Sequence, residues 1–89
     1  MDIAAFNDRL KAEGFDPAEE RGLPAGESRA EHAHHFDVTA MVLDGDITLT
    51  CGGTRTTYTA GQVFTMAAGM PHCEDVGPAG VRYLVGRRE

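Results

Sequence analysis

Four histidines are unevenly spread along the chain: His32, His34 and His35 fall together, and His72 stands alone about forty positions later. On an extended strand, side chains two apart leave the same face, so His32 and His34 present their imidazoles together while His35 points away. Two co-facing imidazoles are half of a transition-metal site. Neutral imidazole suits Zn, Fe, Ni, Cu and Co, and a site needs at least three donors from separate strands, a set that His72 would complete. Taken alone, His-Ala-His-His also reads as a polar surface run, and the doublet does not choose between the two.

Positioning such donors is work for a sheet. From Asp16 onward, glycine, proline and β-branched residues break the chain every eight to ten residues, the rhythm of an all-β sandwich or barrel. Turns are expected at Pro24-Ala25-Gly26, Asp44-Gly45-Asp46, Gly52-Gly53, Ala60-Gly61 and Gly77-Pro78-Ala79-Gly80. The strands between them are predicted at Glu19–Leu23, Ser28–Phe36, Val38–Leu43, Ile47–Cys51, Arg55–Thr59, Gln62–Met66, His72–Val76 and Val81–Val85. Ahead of them, Ile3, Phe6 and Leu10 are spaced for one short amphipathic helix, with Asp2 as N-cap and Gly14 as stop. So narrow a stripe must lie against a sheet. The closing Arg87-Arg88-Glu89 reads as a solvated tail.

Composition narrows the function classes. A chain of 89 residues holds one core, and so small a core is marginal unless an ion or a partner subunit helps, which points to a homodimer or a bound metal. Eight basic residues against fourteen acidic ones leave a net charge of −6, the wrong sign for neutralising phosphates, so nucleic acid is not an expected partner. No apolar run approaches the roughly 20 residues of a membrane span, and Asp2 and Asp8 stand where a signal peptide would be basic and then apolar; a cytoplasmic location is expected. Cys51 and Cys73 are too few for a disulfide scaffold. Phosphate-loop, Ser-His-Asp and paired-Cys zinc motifs are lacking.

Around the histidines the spacing becomes specific. Gly26, five residues, His32-x-His34, three residues, position 38, six residues and Gly45 form one frame. Gly61, five residues, Ala67-Ala68-Gly69, two residues and His72 form a second. The two frames, over roughly residues 26–76, resemble the two sequence motifs of the cupin superfamily, and the short stretch from Gly45 to Gly61 is similar to that of small single-domain cupins. The resemblance implies an all-β, double-stranded β-helix, or jelly-roll barrel, with residues 1–15 as a helix packed on it and 16–89 as the barrel domain. It further implies a divalent transition metal (Fe, Zn, Ni, Mn or Co) inside the barrel near one mouth, held by His32, His34 and His72. Phe36, on the parity of the histidines, is expected to line the pocket with Val38 and Phe64.

The chain departs from the family pattern at one chemically important place. Metal-binding cupins carry a glutamate where this chain has Val38, and Asp37, one residue earlier, faces the other way unless a bulge turns it inward. Ala67 and Val76 replace the second motif's proline and asparagine. Three neutral imidazoles leave a divalent ion its full charge, which attracts anionic or chelating oxygen ligands and makes bound water more acidic. Three protein donors also leave coordination positions open, as catalytic sites require. With the chain itself acidic, any preference for an anion is expected to rest on the metal.

Other side chains were weighed beside these. Cys73 takes the parity opposite to His72 and is expected outside the barrel, whereas Cys51 shares a face with Ile47 and Leu49 and is expected in the core. Met41, Met66 and Met70 are read as gap fillers, and Tyr58 and Tyr83 offer hydroxyls of undetermined placement. Glu31 and Glu74, next to ligand positions, are read as surface residues, with orienting an imidazole as the alternative. Two principal functions remain open at this level. One is a metal-dependent dioxygenase, isomerase or decarboxylase acting on a small acid or diketone; the other is a non-catalytic cupin that binds or senses a small molecule. A barrel without metal that only pairs with other proteins ranks below both.

Overall fold

The structure, a computed structural model, describes all 89 residues. Its elements are α1 (Ile3–Ala12), β1 (Glu19–Leu23), β2 (Ser28–His32), β3 (Asp37–Cys51), β4 (Thr54–Thr59), β5 (Val63–Met66) and β6 (His72–Arg88). The long strands β3 and β6 run antiparallel from Asp37↔Arg88 to Thr50↔Cys73 and form the spine of the sheet. Each carries two short strands on its outer edge. β1 and β2 share the edge of β6, pairing at residues 81–85 and 72–75, while β5 and β4 share the edge of β3 at residues 38–41 and 46–51. This antiparallel sheet with one short helix is the all-β jelly-roll architecture expected of the chain.

Two of the predicted turns are corners instead. Val38–Leu43 and Ile47–Cys51 are one strand, and so are His72–Val76 and Val81–Val85. The reason lies in how β3 and β6 cross. Their register slips between Val42 and Asp44 and again between Gly45 and Ile47, so both strands bend together without parting. Gly45 has φ +77° there, and a Cβ on it would lie 1.9 Å from the Gly80 carbonyl oxygen. A Cβ on Gly77 would meet the Asp46 carboxylate at 1.7 Å. Glycine thus marks the close approach of two bending strands, which in sequence is indistinguishable from a turn. At Gly52-Gly53, with both φ positive, the tight hairpin between β3 and β4 does form.

Alternation divides the sheet into two faces. Val38, Ala40, Val42, Ile47, Leu49, Phe64, Met66, Val76 and Val81 cluster on the inner one. On the outer face Met41 meets Phe6 and Leu10 of α1, with Leu43, Val63 and Leu84 packed alongside. The helix begins where the Asp2 carboxylate accepts the Ala5 N–H at 2.9 Å, and it buries Phe6 and Leu10, each worth about 1.5–3 kcal/mol of transfer free energy. Ile3, expected on the same stripe, is exposed. The sheet makes room for Leu10 at Gly86, where a Cβ would stand 2.9 Å from the leucine methyls.

β6 continues through Arg88, so the closing residues are not a free tail. Arg88 binds the Asp37 carboxylate through two nitrogens at 2.9 and 3.1 Å, donates to the Glu13 carbonyl at 2.7 Å and covers the Phe15 ring. Cys51, expected in the core, is half-buried at the end of β3 and outside the inner cluster; both cysteines are free thiols. No helix is long and apolar enough to cross a membrane.

Candidate metal centre

His32 closes β2 and pairs in register with His72, the first residue of β6. The predicted strand Ser28–Phe36 stops there, and within it the register with β6 slips between Arg29 and His32. Residues 33–36 nevertheless keep the two-residue alternation: His32, His34 and Phe36 are half-buried and Val38 is buried, while Glu31, Ala33 and His35 are exposed. A hydrogen bond from the Gly69 N–H to the His34 carbonyl, at 2.7 Å, holds this stretch in place of a ladder. The second glycine frame is thereby tied to the first. The Asp37 carboxylate reinforces the tie from the outside, accepting the Ala68 N–H at 2.8 Å as well as the Arg88 guanidinium. These two partners, the Ala68 N–H first, hold its carboxyl below the usual carboxylate range. Asp37 is therefore engaged away from the histidines.

The three rings meet inside. Their centroids lie 5.1 Å (His32 to His34), 4.5 Å (His32 to His72) and 5.2 Å (His34 to His72) apart, and one nitrogen from each falls within 4.8 Å of the others. Ions bind imidazole nitrogen at about 2.0–2.1 Å, which spaces tetrahedral donors about 3.3 Å apart, so modest ring rotations would close this set on one centre. The tautomers suit it. His32 Nδ1 lies 2.8 Å from the Ala30 carbonyl and His72 Nδ1 3.1 Å from that of Met70. A carbonyl can only accept, so each Nδ1 carries a proton, and in the neutral ring Nε2 is then the atom with a lone pair to offer. Burial, then the neighbouring His72 and His32, push His34 below the ordinary imidazole range, which favours the form that can coordinate. His72 is 1% exposed, and its Nε2 is the one buried side-chain nitrogen or oxygen without a hydrogen-bond partner. Such an orphan costs about 1–3 kcal/mol.

His32 and His34 line a pocket of about 280 Å³. Phe36, Val38, Phe64 and Met66 form its apolar wall, and Leu23 and Val85 extend it. A groove of about 460 Å³ beside α1 is larger, but Lys11 is the only charged residue lining it and it gathers no cluster of donors. Three features of the histidine pocket escaped the sequence. The first is Glu74, read there as a surface residue: it is 8% exposed, and its Oε2 lies 3.6 Å from His32 Nε2. It stands two residues after His72 on the same strand, so parity alone would have turned it inward.

The second is a set of arginines, Arg21, Arg29 and Arg87, on the pocket lining. Arg21 and Arg29 are paired with Glu19 and Glu27, whereas Arg87 has no carboxylate partner. Its guanidinium sits 4.6 Å over the Phe36 ring, which in turn stacks on His34 at 4.9 Å. The lining thus carries positive charge of the chain's own, although the net charge of the chain is −6. The third is Tyr83, whose phenol is pushed up by burial and then by Glu74, so that it stays a hydrogen-bond donor on the lining.

Comparison with known proteins fits this geometry. No curated protein sequence matches the chain. Among solved structures, the Cnp3 cupin domain of Schizosaccharomyces pombe superposes with a TM-score of 0.72 at 22% identity, over 81% of this chain and 54% of that one. The DMSP lyase DddQ of Ruegeria pomeroyi gives 0.72 at 22% identity, over 82% and 38%, and the oxalate decarboxylase of Lactobacillus farciminis, in its formate complex, 0.70 at 23%, over 79% and 22%. At these identities the likeness is one of fold, and the chain spans only about a fifth to a half of each of those proteins. The sequence model of the Cupin domain, however, matches residues 20–84. With that match running from β1 into β6 and taking in all three inward histidines, the chain belongs to the cupin family.

Proposed function

We propose that this cupin holds one divalent transition ion between His32, His34 and His72 and that it binds and transforms a small anionic or chelating molecule in the adjoining pocket. The observation that carries this reading is the buried, unpartnered Nε2 of His72, aimed with the other two rings at a common space. A lone pair kept dry and unsatisfied is costly for folding and useful for coordination. When bound, the ion would polarise an oxygen of the guest and acidify a coordinated water.

The chain's own residues supply the rest. The backbone carbonyls of Ala30 and Met70 fix the tautomers of His32 and His72, so that both nitrogens are ready to coordinate. Phe36, Val38 and Phe64 exclude water from one side of the guest. Arg87, free of any carboxylate, is placed to receive an anionic group, and the Tyr83 phenol can donate to a second oxygen. Two of the structural relatives are enzymes of small molecules, a DMSP lyase and an oxalate decarboxylase with formate bound, which accords with a small acid as guest. The exposed edges of β1 and β4 and the small core favour a homodimer.

Element analysis of protein purified without chelators tests the reading. About one equivalent of a transition metal is expected, lost in His34→Ala and kept in His35→Ala. Less than about a tenth of an equivalent, with no uptake on reconstitution, would refute it. Metal-loaded protein is then offered small carboxylates and β-diketones under oxygen. Binding without any chemical change would assign a binding or sensing role to the same pocket.

A further inference from the structure

His72 and Glu74 alternate inward at the start of β6, and Glu74 is the only acid that lines the histidine pocket. Its Oε2 lies 3.6 Å from His32 Nε2. His32 Nδ1 is engaged by the Ala30 carbonyl at 2.8 Å, so Nε2 is the atom that His32 turns toward this carboxylate. Two donors bound side by side to one ion at about 2.0–2.2 Å stand about 3.0–3.4 Å apart, so from 3.6 Å beyond His32 Nε2 a swing of the Glu74 side chain would bring it to an ion held by the three rings, whose nitrogens alone lie within 4.8 Å of one another.

We infer that Glu74 is the carboxylate of the metal centre, a fourth donor delivered from β6, which takes over the charge-balancing role that the cupin pattern gives to position 38, here Val38. The inference rests on the three-histidine reading above and adds to it. Val38 and Glu74 both line the pocket, Val38 from β3 and Glu74 from β6, so the exchange moves the acid from one wall of the site to another. With Glu74 bound, the ion keeps one net positive charge instead of two. Recognition of an anionic guest then shifts toward Arg87 on the lining.

Titration of the metal-free protein with Co²⁺, against a coloured chelator of known affinity, tests the assignment. The native chain is expected to bind one equivalent. Glu74→Gln should keep that stoichiometry, bind about 10–100-fold more weakly and show an altered visible Co²⁺ spectrum. Glu31→Gln, at an exposed acid beside His32, should change neither. Affinity within about twofold of native in Glu74→Gln and an unchanged spectrum, with binding still lost in His34→Ala, would overturn the role of Glu74 and leave the triad standing. Failure of the native chain itself to bind Co²⁺ would overturn the triad as well. Thermal midpoints without metal provide a second readout. Removing a buried carboxylate should leave the metal-free midpoint unchanged or raised. A lowered midpoint or a failure to fold, in Glu74→Gln, would mark a structural ion pair and count against a ligand.

Discussion

The inner face of the sheet has two neighbourhoods built by the same alternation. In one, Ala40, Val42, Ile47, Val76 and Val81 interlock as a dry cluster in which every side chain is apolar. In the other, the same inward parity delivers His32, His34 and Glu74 beside Phe36, Val38 and Phe64, with His72 gathered to the other two histidines. Periodicity says only that a residue points inward. Whether an inward polar group is structural or functional is decided by its partners. Thr48, buried on the outer face, is satisfied by the Thr57 hydroxyl at 2.7 Å, whereas His72 Nε2 has none. The dry neighbourhood stabilises the fold by itself, and the polar one carries an uncompensated cost that a bound ion would offset.

Mutations should separate the two regions. The largest effect is expected at the histidines: His72→Ala should abolish metal uptake measured by element analysis and leave secondary structure by circular dichroism intact. In the dry cluster the signs reverse. Ile47→Ala, at a side chain 1% exposed, should lower unfolding free energy by about 2–5 kcal/mol while metal stoichiometry stays that of the native chain. Loss of metal in Ile47→Ala without loss of stability would erase the distinction.

Smaller effects sharpen it. In the Glu74→Gln background, Val38→Glu returns a carboxylate to the family's usual position, and Co²⁺ affinity should recover by about tenfold, as expected if donor charge and not strand of origin matters. Arg87→Gln should weaken binding of a small carboxylate to the metal-loaded protein by about three- to tenfold and reduce its salt dependence, with metal content unchanged. The smallest change concerns the outer clasp. Asp37 has a folded pKa below its ordinary value of 3.8, so its contribution is present above that value and lost as pH falls through the lowered one. Asp37→Asn should therefore be less stable than the native chain at neutral pH, with the gap closing below about pH 4. A gap that stays constant in urea melts from pH 7 to pH 2 would contradict this.

Much of this was legible in the residues, and the failures have physical causes. The spacing of His32, His34 and His72 identified three rings that fold brings together, because a doublet on one strand and a singlet two glycine frames later are local patterns. Gly45 and Gly80 were read as turns since the same positive φ serves a turn and a bent pair of strands; only pairing, a non-local fact, tells them apart. Glu74 carried its signal in plain parity with His72, but a glutamate on a strand is usually solvated, and no local rule shows that His32 closes over it. Arg87 was invisible for another reason. Its place depends on β6 running on beside β3 as far as Arg88, which the sequence near the terminus does not announce.

The central claim is that three imidazole nitrogens share one ion. Crystals of metal-loaded protein, with anomalous scattering recorded at the edge of the bound element, read this directly. A single peak is predicted about 2.0–2.2 Å from Nε2 of each of His32, His34 and His72. A peak elsewhere, for instance at the exposed His35, or none in protein that carries metal by element analysis, would contradict it.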